Sequence, residues 1–147
     1  MLKSFQILGY SGGMPFKGRD VSSIILSTYN YDIMIDCGEN AFNSYIKNNY
    51  KFEKLKYIFI THMHPDHTGG LTNLLFYRKI MKVKSDLVIW GPSEIIEYLN
   101  QSFKYQKINL NFKLVINSIQ NKKIVISKDI TINAKMMDHS IECWGYS

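Results

Sequence analysis

Thr61-His62-Met63-His64-Pro65-Asp66-His67-Thr68-Gly69-Gly70 follows directly on the apolar run Tyr57-Ile58-Phe59-Ile60. That run has the length of a strand and no polar alternation, which suits burial on both faces of a parallel or mixed sheet. Alternate residues leaving such a strand point the same way, so His62 and His64 can converge on one metal ion. Asp66 and His67 can face a second ion only if the chain then turns sharply, and Gly69-Gly70 reads as the backbone freedom for that turn. Imidazoles and a carboxylate are donors for zinc, or for manganese or iron where the coordination is richer. A solvated polar loop would account for any single histidine of this group. Four donors within six positions after a buried strand point to metal binding instead.

On the N-terminal side, residues 5–8 form a short apolar run ending at Gly9, and a loop containing Gly12, Gly13, Pro15 and Gly18 follows. This reads as a first strand opening into a glycine-rich loop. Residues 22–27 and 32–35 are β-rich and separated by Tyr29 and Asn30, a hairpin whose second strand runs into Asp36-Cys37-Gly38. Ala41, Phe42, Tyr45 and Ile46 recur at helical spacing over residues 40–48, with Asn40 as the expected cap. On the C-terminal side, Leu74, Leu75, Tyr77 and Ile80 predict a helix over residues 71–81. Residues 87–90 read as another buried strand, and Ser93 as the cap of a helix reaching about Gln101. Residues 112–116, 124–127 and 130–136 look like successive strands. This order of elements specifies a layered α/β fold with helices packed on a mixed sheet.

The chain has 147 residues, and 18 Lys plus Arg against 12 Asp plus Glu give a formal net charge of +6. The length suits one compact domain with a core. Hydrophobic and aromatic fractions of 46% and 14% exclude a disordered or collagen-like chain. No apolar run approaches the roughly 18 residues of a membrane helix, and MLKSFQILGYSGG breaks at glycines before a signal-peptide core forms. A soluble, cytoplasmic protein with no membrane partner is the expectation. Cys37 and Cys143 lack CxxC spacing and read as unpaired thiols in or near a core. Arg19 and Arg78 are the only arginines; charge spread over lysines adds little by itself to a nucleic-acid reading.

The sequence HMHPDHTGG resembles the His-x-His-x-Asp-His signature of the metallo-β-lactamase superfamily of hydrolases. LGYSGGMPFKGRDVSS (8–23), IDCGE (35–39), FITHMHPDHTGGL (59–71) and IWGP (89–92) are, in this order, similar to ribonuclease Z, the endonuclease that trims the 3′ trailer of precursor tRNA. DHSIECWGY (138–146) resembles that family's later histidine-containing segment. The resemblance implies an αββα sandwich of four layers, of which this chain would be the N-terminal half. It implies His62, His64 and His139 as ligands of one ion and Asp66 and His67 as ligands of a second, with Asp66 also the catalytic proton carrier. Asp36 resembles the family's buried Asp that orients the histidine loop; read from the residues alone it is equally a turn or cap. Zinc is the implied cofactor, two ions in a complete site, with manganese or iron as alternatives. The implied reaction is phosphodiester hydrolysis, in which the ions activate water and hold a phosphate oxygen. The implied partner is precursor tRNA. Lys17 and Arg19 in the glycine-rich loop would then meet phosphates, unless that loop only braces the site.

Pro65 stands where ribonuclease Z enzymes usually carry Gly, and Asn40-Ala41-Phe42 replaces their usual Gly-Thr-Gln. Pro65 favours a second reading, a superfamily hydrolase of a small phosphodiester, sulfate ester or thioester. The family's bridging Asp, final His ligand and tRNA-gripping arm lie beyond the Gly-Tyr segment, whereas this chain stops at Ser147. The expectation is one domain over residues 1–147, truncated at its C-terminus. Its first ion would be held by three histidines with one position open, and its second by Asp66 and His67 alone. Half a sandwich leaves an apolar sheet face without cover. A homodimer or a complementing C-terminal half is therefore the expected protein partner, and an inert half of a truncated or split gene is the third reading.

Overall fold

The computed structural model describes residues 1–120 and 123–147. Strands β1 (Leu2–Gly9), β2 (Ser23–Thr28) and β3 (Asp32–Ile35) pair antiparallel. Strands β4 (Leu55–Phe59), β5 (Leu87–Gly91) and β6 (Leu114–Ser118) then continue from β3 in parallel, giving a six-stranded sheet in sequence order. A second, antiparallel sheet contains β7 (Lys123–Ser127), β8 (Ile130–Met136) and β9 (Trp144–Tyr146). Helix α1 (Ala41–Lys47) connects β3 to β4. The single turn α2 (Pro65–Thr68) and helix α3 (Leu71–Ile80) connect β4 to β5, and α4 (Ile95–Gln106) connects β5 to β6.

The alternation along β4 explains the layering. Ile58 and Ile60 point into a core shared with Tyr45 of α1, Leu74 of α3 and Leu99 of α4. Phe59 points the other way, with Ile33, onto Ile124 and Ile132 of the small sheet. The run at 57–60 is therefore apolar on both faces, as its sequence predicts. Helices, large sheet and small sheet make three layers of the expected four-layer sandwich, since the buried apolar residues of α1, α3 and α4 all belong to the core on one face. On β1, Leu8 packs toward the helices, while Phe5 and Ile7 on the opposite face remain 58% and 52% exposed.

Several boundaries differ from expectation for local reasons. The hairpin at Tyr29-Asn30 is closed by Thr28, whose hydroxyl accepts from the Asn30 and Tyr31 backbone N–H groups and donates to the Tyr31 carbonyl. Asn40 occupies the first cap of α1 but does not cap with its side chain; its amide donates instead to Asp20 at 2.9 Å. Ser93 does not cap α4 either. Glu94 holds the cap position, and Ser93 donates to Glu142. Helix α4 runs to Gln106 because Phe103 still reaches the core, and it stops where Lys107 turns left-handed at φ 51°. Strand β6 lies two residues later than the apolar pattern at 112–116 suggests.

Arg78 of α3 is fully buried. Its guanidinium donates to the carbonyls of Phe52 (2.6 Å), Leu55 (3.1 Å) and Ser85 (2.7 Å), joining the start of β4 to the turn before β5. Cys37 and Cys143 are buried and free, as read from the sequence. Among the described residues no helix is long and apolar enough to cross a membrane.

Candidate metal centre

The site is assembled at the C-terminal end of β4, where the parallel strand delivers the chain to the sheet edge. His62 and His64 leave the strand on one side, and the long connection after β8 brings His139 to meet them. One ring nitrogen from each of the three lies within 4.8 Å of the others. The ring of His62 is central: its centroid is 4.9 Å from His64, 4.6 Å from His139 and 4.0 Å from His67. His62 is buried, His64 half-buried and His139 exposed, so the cluster opens to solvent on the His139 side.

After His64 the chain turns as the one-turn helix α2, with Pro65 at its first position, where a missing N–H costs nothing. Thr68 Oγ1 donates back to the His64 carbonyl at 3.1 Å. This turn places Asp66 Oδ2 3.3 Å from His67 Nε2, beside but separate from the three-histidine group. Gly13 of the glycine-rich loop donates its N–H to the same Asp66 oxygen at 2.9 Å. Burial opposes ionisation of Asp66, but the Gly13 donor and the neighbouring His67 outweigh it and hold its pKa below the usual carboxylate range.

Asp36 sits at the end of β3 in the left-handed region, φ 58°, a conformation unusual outside glycine but one that Asp tolerates. Its carboxylate is buried and accepts from the Thr61 backbone N–H (2.8 Å), the Thr61 hydroxyl (3.0 Å), Ser22 (3.3 Å) and His67 Nδ1 (2.6 Å). A carboxylate only accepts, so His67 Nδ1 carries a proton, and in the neutral ring Nε2 keeps its lone pair. Thr61 spends its hydroxyl proton on Asp36 and therefore accepts from His62 Nδ1 at 2.9 Å, which again leaves Nε2 free. Asp36 thus sets the tautomer of one histidine directly and of another through Thr61, the arrangement expected of a group that orients metal ligands. No motif marks Ser22, whereas Thr61 is marked only by its place immediately before the His-x-His pair.

The donor set suits a divalent ion such as zinc: three imidazoles on one side, and a carboxylate with an imidazole on the other. Burial, followed by the charge of His67, pushes His62 down to about 4, so it is unprotonated at neutral pH. Burial opposes protonation of His67, but its bond to Asp36 and the Asp36 and Asp66 charges raise its pKa overall.

The expected role of Gly69 and Gly70 needs correction. Both hold ordinary right-handed angles, φ −59° and −88°. What they supply is room. A Cβ on Gly70 would run into the Gly38 carbonyl oxygen and come 3.2 Å from that of Cys37, and one on Gly69 would lie 2.7 Å from the Pro65 carbonyl oxygen. Gly70→Ala should therefore push the Asp36 loop away from α3, destabilising the fold by about 1–3 kcal/mol. Thermal unfolding with and without zinc checks this, and a larger loss in the zinc-loaded state is expected.

Lys17 and Arg19 lie exposed at the tip of a tight turn in which Phe16 and Arg19 exchange backbone bonds of 3.0 and 2.8 Å. Arg19 is 5.7 Å from the Tyr10 ring centroid. Among the described residues neither cation bonds to the histidine cluster; the loop reaches the site through Gly13. A cleft of about 320 Å³ beside Asp66 is lined by Gly13, Pro15, Glu39, Pro65 and Asn73 among others. A larger cleft of about 530 Å³ along Trp90, Asn117 and Lys123 contains none of the clustered residues.

The layered sheets and the His-x-His-x-Asp-His loop at a strand end define a metallo-β-lactamase-fold protein. The chain is similar in structure to the short form of human tRNase Z, with a TM-score of 0.85 and 22% identity over 97% of this chain and 62% of that one. It is similar also to the metallo-β-lactamase fold protein YhfI of Bacillus subtilis, with a TM-score of 0.77, 21% identity, and coverage of 97% of this chain and 56% of that one. By sequence it is 38% identical to ribonuclease Z of Listeria monocytogenes over 142 residues, 95% of this chain and 46% of that protein. The chain therefore spans about half the length of the curated relatives it matches, and the resemblance to ribonuclease Z read from the motifs is borne out. The chain belongs to the family described as Anti-Pycsar protein Apyc1, whose model matches residues 4–141.

Proposed function

We propose that this chain carries the metal-binding part of a metal-dependent phosphodiester hydrolase of the ribonuclease Z kind, acting at the 3′ end of precursor tRNA. The observation that carries this reading is the convergence of His62, His64 and His139 within 4.8 Å beside the Asp66–His67 pair. In it the three histidines hold one zinc ion, with manganese or iron as alternatives, and Asp66 with His67 offers two donors to a second. A bound metal supplies activation of water and Lewis-acid contact to a phosphate oxygen. Asp66, kept ionised by Gly13 and His67, accepts the proton of the attacking water and orients it. Asp36 holds His67, and through Thr61 His62, in the tautomer that leaves Nε2 for a metal. The glycine-rich loop, anchored on Asp66 through Gly13, carries Lys17 and Arg19 at its tip as phosphate contacts.

The test is purified full chain loaded with zinc or manganese, assayed on precursor tRNA and on an aryl phosphodiester. Metal-dependent cleavage is expected, with Asp66→Ala lowering it by about 100-fold or more. Binding of one ion or fewer per chain with no turnover on either substrate would overturn the hydrolase reading and favour the inert half.

A second reading, a small phosphodiester as substrate, is favoured by the cleft beside Asp66, whose volume of about 320 Å³ is that of a small-ligand site, and by Pro65 in its lining. Turnover of the aryl ester without cleavage of the tRNA precursor distinguishes it. The exposed Phe5 and Ile7 support a second copy or a complementing half as cover for that face. A cytoplasmic site of action goes with the tRNA reading.

A further inference from the structure

His139 is the one member of the three-histidine group that lies outside the loop at 61–70, and it is exposed on the turn that joins β8 to β9. That turn closes on itself by a single backbone bond, Met137 N–H to the Cys143 carbonyl at 2.9 Å. Glu142 attaches the middle of the turn to the rest of the fold. Its Oε2 accepts from the Ser93 backbone N–H at 3.1 Å and from the Ser93 hydroxyl at 2.6 Å, and its Oε1 accepts from the Trp144 indole at 2.7 Å. Ser93 precedes α4, a rigid element of the main core. Trp144 is buried, and its own N–H donates to the Thr61 carbonyl, directly before His62. One carboxylate therefore bolts the His139 turn to the segment entering α4, while the Trp144 backbone N–H ties the far end of that turn to Thr61.

We propose that Glu142 is a positioning residue for the metal centre, acting through His139 by fixing the turn that carries it. This deepens the metal reading given above and rests on it for its functional meaning. Burial disfavours the charged form of Glu142, yet the Ser93 and Trp144 donors together lower its pKa, consistent with a carboxylate held in place by its bonds. Ser140 completes the arrangement. Its backbone N–H donates to His139 Nδ1 at 2.8 Å, and its hydroxyl lies 3.1 Å from the same nitrogen, so the ring is held from its own turn as well.

The decisive experiment needs no metal. In the metal-free full chain, ring-to-ring nuclear Overhauser effects are expected between His62 and His139, whose centroids are 4.6 Å apart, and between His62 and His67, at 4.0 Å. Glu142→Ala should abolish the first and keep the second. Should that variant fold poorly, Ser93→Ala, which removes only the hydroxyl donor, should weaken the first alone. Persistence of the His62–His139 effect in both variants overturns the proposal. A zinc titration supplies the second readout: Glu142→Ala should weaken binding by about 10-fold or more in the parent chain and have no further effect in a His139→Ala background. An equal loss in both backgrounds marks a merely structural role and also overturns it. If the parent chain takes up no zinc, the metal reading fails, and the Overhauser effects still decide whether Glu142 places His139.

Discussion

His62→Ala is expected to weaken zinc binding by about 100-fold or more. Structural zinc sites bind with apparent free energies of roughly 10–16 kcal/mol spread over their ligands, so one of three imidazoles represents about 3 kcal/mol or more, and each 1.4 kcal/mol is tenfold. His62 is the sensitive position because it is buried at the centre of the cluster, in ring proximity to His64, His67 and His139. With its pKa near 4 it has no proton to surrender at neutral pH, so its loss removes a ready donor. Asp36→Asn is the informative companion. It keeps all the ligands and the shape, but an amide can present N–H to His67 Nδ1 and reverse the tautomer that the carboxylate enforces. A loss of about 10- to 100-fold is expected there. Competition titration against a chromophoric chelator measures both. Unchanged affinity in His62→Ala would rule out the cluster as the metal site.

Arg78→Met should lower the stability of the chain by about 3 kcal/mol or more, with the histidine cluster untouched. The guanidinium serves the carbonyls of Phe52, Leu55 and Ser85, and each buried acceptor left without a donor costs about 1–3 kcal/mol. Two features reduce the net value of the arginine: among the described residues its Nε has no partner, and burial draws its pKa down to about 10. It still carries its charge at neutral pH, and the Phe112 ring lies 4.9 Å from the guanidinium carbon. For a chain of this size the expected fall in melting temperature is about 6–12 °C. Arg78→Lys should rescue little, because one ammonium cannot span acceptors that a planar fork reaches together. A loss below about 1 kcal/mol in denaturant unfolding would mean that water replaces the guanidinium.

The histidine loop was legible because its chemistry is local. His62, His64, Asp66 and His67 stand within six positions, after a run whose apolar character on both faces specifies a buried strand. The helices over residues 41–47 and 71–80 and the hairpin at Tyr29-Asn30 follow from periodicity and turn chemistry in the same way. Less legible were the ends of elements and the short pieces. Asn40 and Ser93 have the chemistry of caps, but each found a stronger partner across the fold, Asp20 for one and Glu142 for the other. Strand β9 has only three residues, too few for any period, and exists because β8 and the backbone of Thr61 accept it.

The amino-acid sequence by itself determined the layered fold, the donor types and the direction in which two histidines leave their strand, since these depend on neighbours a few positions apart. Only the tertiary structure decided which distant groups complete the site. Asp36 meets His67 across 31 positions, Ser93 meets Glu142 across 49, and Tyr146 meets the Ile60 carbonyl across 86, carrying the segment that bears His139 with it. It also decided that Gly70 is needed for space rather than for flexibility. The physical reason is common to all of these: a hydrogen bond or a close approach depends on where two segments pack, and local spacing does not record that.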